Sequence, residues 1–198
     1  MMNSNMSLTE AIRGRRSVGR VKSDSIAREV IEQLLEAGNW APSHHATEPW
    51  RFYVMTGGGR QALAAAYADI AAEGMSGQEL EELRAKQAAK AFRAPVVIAV
   101  AVSPSTAKGV SRIEEFAAAH AAVQNMLLMA HALGLGTIWR TGEPAYHPRM
   151  KQAFGLGEAD AIVGLVYIGI PETTPSEGKR RPAADKTVWM TGEADSKL

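Results

Sequence analysis

From Phe116 to Leu133 the chain has no Asp, Glu, Lys or Arg, and apolar side chains recur on nearly every side of the helix these residues would form. A surface helix needs one covered stripe. A helix apolar almost all round has to lie in a core or in an interface between subunits. The helix is predicted over Ser111 to Leu133, with its charges, Arg112, Glu114 and Glu115, in the first turn or so, and Gly134-Leu-Gly136 ends it. Its cover should be a sheet. Pro95 to Val102 is almost wholly apolar and β-branched, as expected of a strand buried on both faces. Ala161 to Ile170 is a second apolar strand, ended by Pro171.

The remaining segments alternate between helix and strand. Ser7 to Arg13 reads as a short helix, since Ser7 and Glu10 have capping-box spacing, and Gly14 ends it. A second helix is predicted from Ser23 or Asp24 to Gly38, with Ile26, Val30, Leu34 and Ala37 on one face beside Ile31 and Leu35. Arg51 to Met55 reads as a strand closed by a turn at Thr56 to Gly59. Gln61 to Ala72 and Gln78 to Phe92 read as helices, the second charged and stopped by Pro95. Thr137 to Trp139 is a short strand, and Arg149 to Phe154 a helical turn. From Glu172 to Leu198 the chain is polar with scattered prolines, so it should pack as an arm or stay partly mobile. Interleaved helices and strands place the chain in the α/β or α+β class.

A chain of 198 residues suits one domain, or one domain plus an arm, and buries roughly 70% of its unfolded surface without staples. Its 22 Lys and Arg against 21 Asp and Glu leave a net charge of +1, which argues against a general nucleic-acid binder. It has no cysteine, which excludes disulfides, thiolate metal sites and cysteine nucleophiles. Redox chemistry would therefore need a bound cofactor. No run has the length and apolarity of a membrane span, and the first residues lack the basic flank and apolar core of a secretory signal. The expectation is a soluble cytoplasmic protein.

Three segments could carry chemistry. Ala41-Pro-Ser-His-His-Ala-Thr-Glu-Pro-Trp50 follows one predicted helix and precedes a strand. Its prolines stiffen the backbone, its imidazoles can hydrogen-bond a planar heterocycle, and an indole can cover one. Alone it reads equally as a Pro-rich turn with surface histidines. Arg15-Arg16-Ser17, with Arg20 close by, suits a phosphate, or is a solvated basic turn. Gly134 to Gly142 offers Trp139, Arg140 and Thr141 at a strand tip, or is a plain helix end and strand. Gly57-Gly58-Gly59 lacks the spacing of a dinucleotide fingerprint, and no serine sits in a Gly-x-Ser-x-Gly elbow. No metal site is expected: the five histidines form no ligand cluster, and adjacent His44 and His45 should point apart.

Read in order, these segments resemble the nitroreductase family of FMN-dependent enzymes. The likeness spans about residues 8 to 172 and is closest to its small YdjA-like branch. It runs through Arg-Arg-Ser, Ala-Pro-Ser-His-His-Ala-Thr-Glu-Pro-Trp, Phe92-Arg-Ala-Pro-Val-Val-Ile-Ala-Val, Asn125 to Trp139, and Gly164-Leu-Val-Tyr-Ile-Gly-Ile-Pro. The resemblance implies an α+β sandwich with a mostly antiparallel central sheet, in an intertwined homodimer with two FMN at the interface. It implies an FMN-binding domain over 1–172 and an arm over 173–198 packing on the partner. Arg15, Arg16 and Ser17 match the phosphate and ribityl segment. Trp40 and His44 match positions reaching the flavin from the partner subunit. Trp139, Arg140 and Thr141 match a second flavin-contacting strand, and Arg181 a basic C-terminal position near the phosphate. Glu48 departs from the Gln that many relatives have before Pro-Trp, and would alter the flavin's electronics or point to solvent. The implied activity is hydride transfer from NADH or NADPH to a nitroaromatic, quinone or similar acceptor by a ping-pong cycle. No side chain is assigned an obligate acid or base role. A flavin carrier or redox sensor without turnover would carry the same motifs.

Overall fold

All seven residues of the strand Val96–Val102 are buried, as their unbroken apolar run requires. The computed structural model describes residues 6–77 and 79–190. The first five residues, Gln78 at the predicted helix start, and 191–198 of the arm lie outside the described residues. In chain order the elements are α1 (Leu8–Gly14), α2 (Arg28–Asn39), β1 (Trp50–Thr56), α3 (Gln61–Ala71), α4 (Glu79–Ala88), β2 (Val96–Val102), α5 (Arg112–Ala132), β3 (Gly136–Arg140), α6 (Glu143–Tyr146), α7 (Pro148–Ala153) and β4 (Ala161–Gly169). The four strands form one sheet in the order β1-β2-β4-β3, with every pair antiparallel. This is an α+β fold.

The period of two along β2 builds two cores. Val96, Ile98, Val100 and Val102 face α2 and α5. Val97, Ala99 and Ala101 face the layer of α3, α6 and α7. Between Ile162 and Gly164 on β4 the register shifts, opposite Ala101 and Val100. Gly164 sits at that irregularity because a Cβ there would collide with the indole of Trp139. The indole Nε1–H donates to the Val163 carbonyl at 3.1 Å.

The long helix meets only half of its sequence expectation within one chain. Ala118, Ala119, Ala122, Val123, Met126, Leu127 and Ala130 are buried against the sheet and α2. The opposite side, with Ile113 at 77% exposure, is uncovered. Glu115 is the exception to the apolar buried face: it is 1% exposed.

Some boundaries differ from the sequence reading. The capping box at Ser7 and Glu10 is present. Helix α2, however, starts at Arg28 rather than at Ser23 or Asp24. The Lys22 N–H donates to the Ile170 carbonyl at 2.8 Å and Val21 bridges Pro171, which holds the approach to α2 extended along the sheet. The charged helix ends at Ala88 and tightens into a 3-10 turn, Ala89–Phe92. The short α6, with a proline in its first turn, has no counterpart in the sequence reading.

Candidate functional site

The Arg15 to Ser17 segment lies against the outer edge of β3. Ser17 forms a parallel bridge with Thr137, and the Val18 N–H donates to the Thr137 carbonyl at 2.8 Å. The guanidinium of Arg16 is folded back. Its Nη1 donates to the carbonyls of Arg13 at 2.7 Å and Arg15 at 2.6 Å, and its Nε is buried without a partner. Gly178 covers this guanidinium so closely that a Cβ would collide with it. Arg13, Arg15, Arg16 and Arg180 surround a cavity of about 460 Å³ that no carboxylate lines. Burial, then Arg16 and Arg180, pull the Arg15 guanidinium below its usual pKa. Four guanidiniums held together with no ion pair among the described residues, one with an orphaned Nε, fit a dianionic phosphate. Arg181 lies outside this set, its carbonyl accepting from Lys186 Nζ at 3.2 Å. Arg180, rather than Arg181, lines this cavity. Arg13, which the sequence reading does not single out, also lines the cavity; its place in the last turn of α1, two residues before Arg15, is the signal that points to it.

The loop before β1 is organised by an acid. His45, Ala46 and Glu48 all have positive φ, at 58°, 50° and 45°. Such backbone costs of order 1–3 kcal/mol per residue and persists only where the surroundings impose it. Here Ser43 Oγ accepts from the Glu48 N–H at 2.9 Å and lies 3.2 Å from the Thr47 hydroxyl. The Thr47 hydroxyl donates to Glu115 Oε1, and the Ser105 N–H donates to Glu115 Oε2 at 2.8 Å. Glu115 thus ties this loop to the one following β2. The sequence reading places Glu115 only among the first-turn charges, without assigning it a burial. Its spacing of three and four residues from Ala118 and Ala119 is the signal that places it on the buried face. The positive φ of His45 also overturns the expectation that the two imidazoles point apart: the rings meet edge to face with centroids 4.1 Å apart. His44 itself is exposed, with Nε2 3.9 Å from Glu114. Trp40 is 78% exposed, and its Nε1 donates to Glu36 at 2.6 Å. The Glu48 side chain is exposed, and its backbone N–H makes the loop contact.

The third segment divides across the sheet. Trp139 lies on the α5 face, its ring 5.6 Å from that of His120. Arg140 lies on the other face, its guanidinium 5.6 Å from the centre of the Tyr167 ring. Thr141 is exposed at the strand end. Ser17 and Thr137 are therefore about 10 Å along the same sheet edge from Arg140. His44 is elsewhere, beside the first turn of α5, whereas Arg15 and Arg16 lie near His131 in its last turn. Those turns are about 24 Å apart on a straight helix. One chain thus gathers Arg15, Arg16, Ser17 and the β3 end along one edge, and holds His44 away from them.

The profile of the Nitroreductase family matches residues 12–170 of this chain. The chain belongs to the nitroreductase family. It is 34% identical over 187 residues to YdjA of Escherichia coli (strain K12), provisionally named an NAD(P)H nitroreductase, covering 94% of this chain and 99% of YdjA. A nitroreductase-like family protein from Bacillus cereus superposes with a TM-score of 0.83 at 29% identity, covering 97% of this chain and all of that one. A provisionally named nitroreductase from Desulfovibrio desulfuricans, solved in complex with FMN, superposes with a TM-score of 0.69 at 29% identity, covering 92% and 95%. Nitroreductase family members thus share this fold over nearly its full length. Among the described residues no helix is long and apolar enough to cross a membrane.

Proposed function

We propose that the protein is an FMN-dependent oxidoreductase that passes hydride from NADH or NADPH to an electron-poor acceptor, such as a nitroaromatic or a quinone, in a ping-pong cycle. The observation that carries this reading is the arginine cradle at the edge of β3, with four guanidiniums and no carboxylate. Arg15, Arg16, Arg13 and Arg180 would hold the phosphate of FMN, and Ser17 would face its ribityl chain. Trp139, Arg140 and Thr141 would flank the ring at the strand end. The FMN-bound relative supports this choice of cofactor. When bound, FMN would supply the hydride-transfer chemistry, which no protein side chain provides. The protein's part is binding, orientation and exclusion of water, and no side chain is required as an obligate acid or base.

The reading includes a homodimer. His44 would reach the cofactor only from a second chain, because its own Arg15 is an α5 length away, and Trp40 would reach it from that chain too. The uncovered Ile113 on α5 and the exposed Trp40 support such an interface. Residues 1–172 would form the cofactor-binding domain. Residues 173–198 would form an arm that first packs on its own chain, with Gly178 over Arg16 and Arg180 in the cradle, and whose later part would pack on the partner, in keeping with Val188, Trp189 and Met190 at 57%, 76% and 93% exposure.

Mass spectrometry of ligand released from the purified protein tests the cofactor, with FMN at one per chain as the expected result. Anaerobic stopped-flow mixing with NADH and NADPH tests the activity. Bleaching of the oxidised flavin band before any acceptor is added is expected. A flavin that neither nicotinamide bleaches in minutes would make the protein a carrier or redox sensor instead. Sedimentation at micromolar concentration tests the dimer, and a stable flavin-bound monomer would overturn the shared site.

A further inference from the structure

On the sheet face turned away from α5, a cavity of about 280 Å³ opens between the end of β3, α3, α6 and the turn Ala89–Phe92. Lys90, Arg93 and Arg140 line it, and no carboxylate does. None of the three is in an ion pair among the described residues. The Nε of Arg140 is buried without a hydrogen-bond partner. Lys90 Nζ lies 5.9 Å from the centre of the Tyr67 ring, so both half-buried cations rest on phenol faces instead of on anions. Burial, followed by Arg93 and Arg140, pushes the Lys90 ammonium below its usual pKa. The Tyr67 and Tyr167 hydroxyls are 3.0 Å apart. Each phenol carries one proton, and their mutual hydrogen bond uses one, so the second is free to donate. Burial holds both phenols above their ordinary pKa and keeps them neutral donors.

Three cations, a spare phenolic donor and an orphaned guanidinium N–H form the donor set of an anion site without its anion. Ile138 and Leu165 add apolar wall. The volume equals that of roughly nine waters, more than an isolated phosphate needs. We propose that this pocket binds the oxyanion group of a small molecule, a phosphate or a carboxylate, with room for a short organic stem. The pocket shares no residue with the arginine cradle, but Trp139, Arg140 and Thr141, which the proposed function sets beside the flavin ring, also line it, so the proposal deepens that reading while its test does not depend on it.

Calorimetric titration of the full-length protein as purified, with inorganic phosphate and separately with benzoate, tests it without turnover. Failure of the flavin reading would leave this result standing. Saturable binding of at least one probe at one site per chain is expected, and the probe that binds identifies the oxyanion. Lys90→Gln should weaken that binding about tenfold, and Lys90→Gln with Arg93→Gln further. Arg15→Gln should leave it unchanged. Binding of neither probe, binding indifferent to both Lys90→Gln and Arg93→Gln, or loss in Arg15→Gln alone would overturn the proposal. A measurement on the unsubstituted protein adds a check: the NMR titration of the Lys90 amine should move upward when the bound probe is saturating. An unmoved titration would also overturn it.

Discussion

At the first turn of α5, Glu115 is buried and accepts from the Thr47 hydroxyl and the Ser105 N–H. At the last turn, His131 sits beside Arg15 and Arg16, which have no acid to pair with inside their cavity. Both ends concentrate charge, but only the first satisfies it internally. A buried charge with its hydrogen bonds made is a structural device, since removing it leaves donors unpaired. A cluster of like charges without a counter-ion is a standing cost, and a bound anion relieves it. The acidic end therefore belongs to stability, through the strained loop it restrains. The basic end is the one we propose for ligand binding.

The largest effect expected from this contrast is that of Glu115→Ala. Two hydrogen bonds to a carboxylate are worth ~1.5–3 kcal/mol each, and the truncation also leaves a cavity. A loss of roughly 3–6 kcal/mol is expected, or a fall in Tm on the order of 10 °C for a chain of this size. Glu115→Gln keeps the shape and one acceptor and should lose about half as much. Thermal and urea unfolding measure both. A Glu115→Ala protein within about 1 kcal/mol of the parent would show that the loop restrains itself, and the contrast between the ends would collapse.

The sequence disclosed the basic end better than the acidic one, for a physical reason. Adjacent Arg15 and Arg16 with Ser17 mark a candidate anion site by their types, with a solvated basic turn as the alternative, wherever the backbone takes them. Glu115 signals nothing by type, because a Glu in a first turn is ordinarily a solvated partner of the helix dipole. Only its phase with Ala118 and Ala119 reveals it, and its partners Thr47 and Ser105 come from loops that no local pattern joins. The same division holds in the fold. Unbroken apolar runs gave β2 and β4 within a residue or two of their observed bounds. The start of α2 was misplaced because the contacts holding the preceding segment extended lie about 150 residues away, at Ile170 and Pro171. Arg180 and Arg181 are indistinguishable by composition, and only the path of the arm past Arg16 separates them. Lys90 and Arg93 joined Arg140 through tertiary packing alone.

A binding end should respond in affinity and not in stability. Arg15→Ala removes one charge-assisted contact and should weaken FMN binding about 10- to 150-fold, equivalent to ~1.5–3 kcal/mol. The apo protein should unfold within about 0.5 kcal/mol of the parent, because the lost side chain also relieves repulsion by Arg16 and Arg180. Fluorescence titration of FMN and unfolding of the apo protein give the two numbers. Unchanged affinity would make this turn a solvated surface, and a large stability loss would put both ends of α5 in the same class.

The smallest effect is a histidine titration, which reads the field at the basic end directly. Burial, followed by Arg15 and Arg16, lowers the pKa of His131 from its ordinary value of 6.5. Between the folded value and 6.5 the unfolded chain binds more protons than the folded one, so His131 lowers stability as pH falls through that window. Above 6.5 it contributes no pH dependence. Arg15→Ala removes one source of positive charge and should move the His131 titration upward, while burial keeps it below 6.5. A bound phosphate should act in the same direction by neutralising both arginines. Proton NMR of the imidazole Cε1–H follows His131 in the parent, in Arg15→Ala and in the FMN complex. A His131 that titrates at its ordinary value in all three would mean that solvent screens the arginines completely. The unpaired charge at that end would then exert no force on its surroundings, and affinity for an anion would need another source.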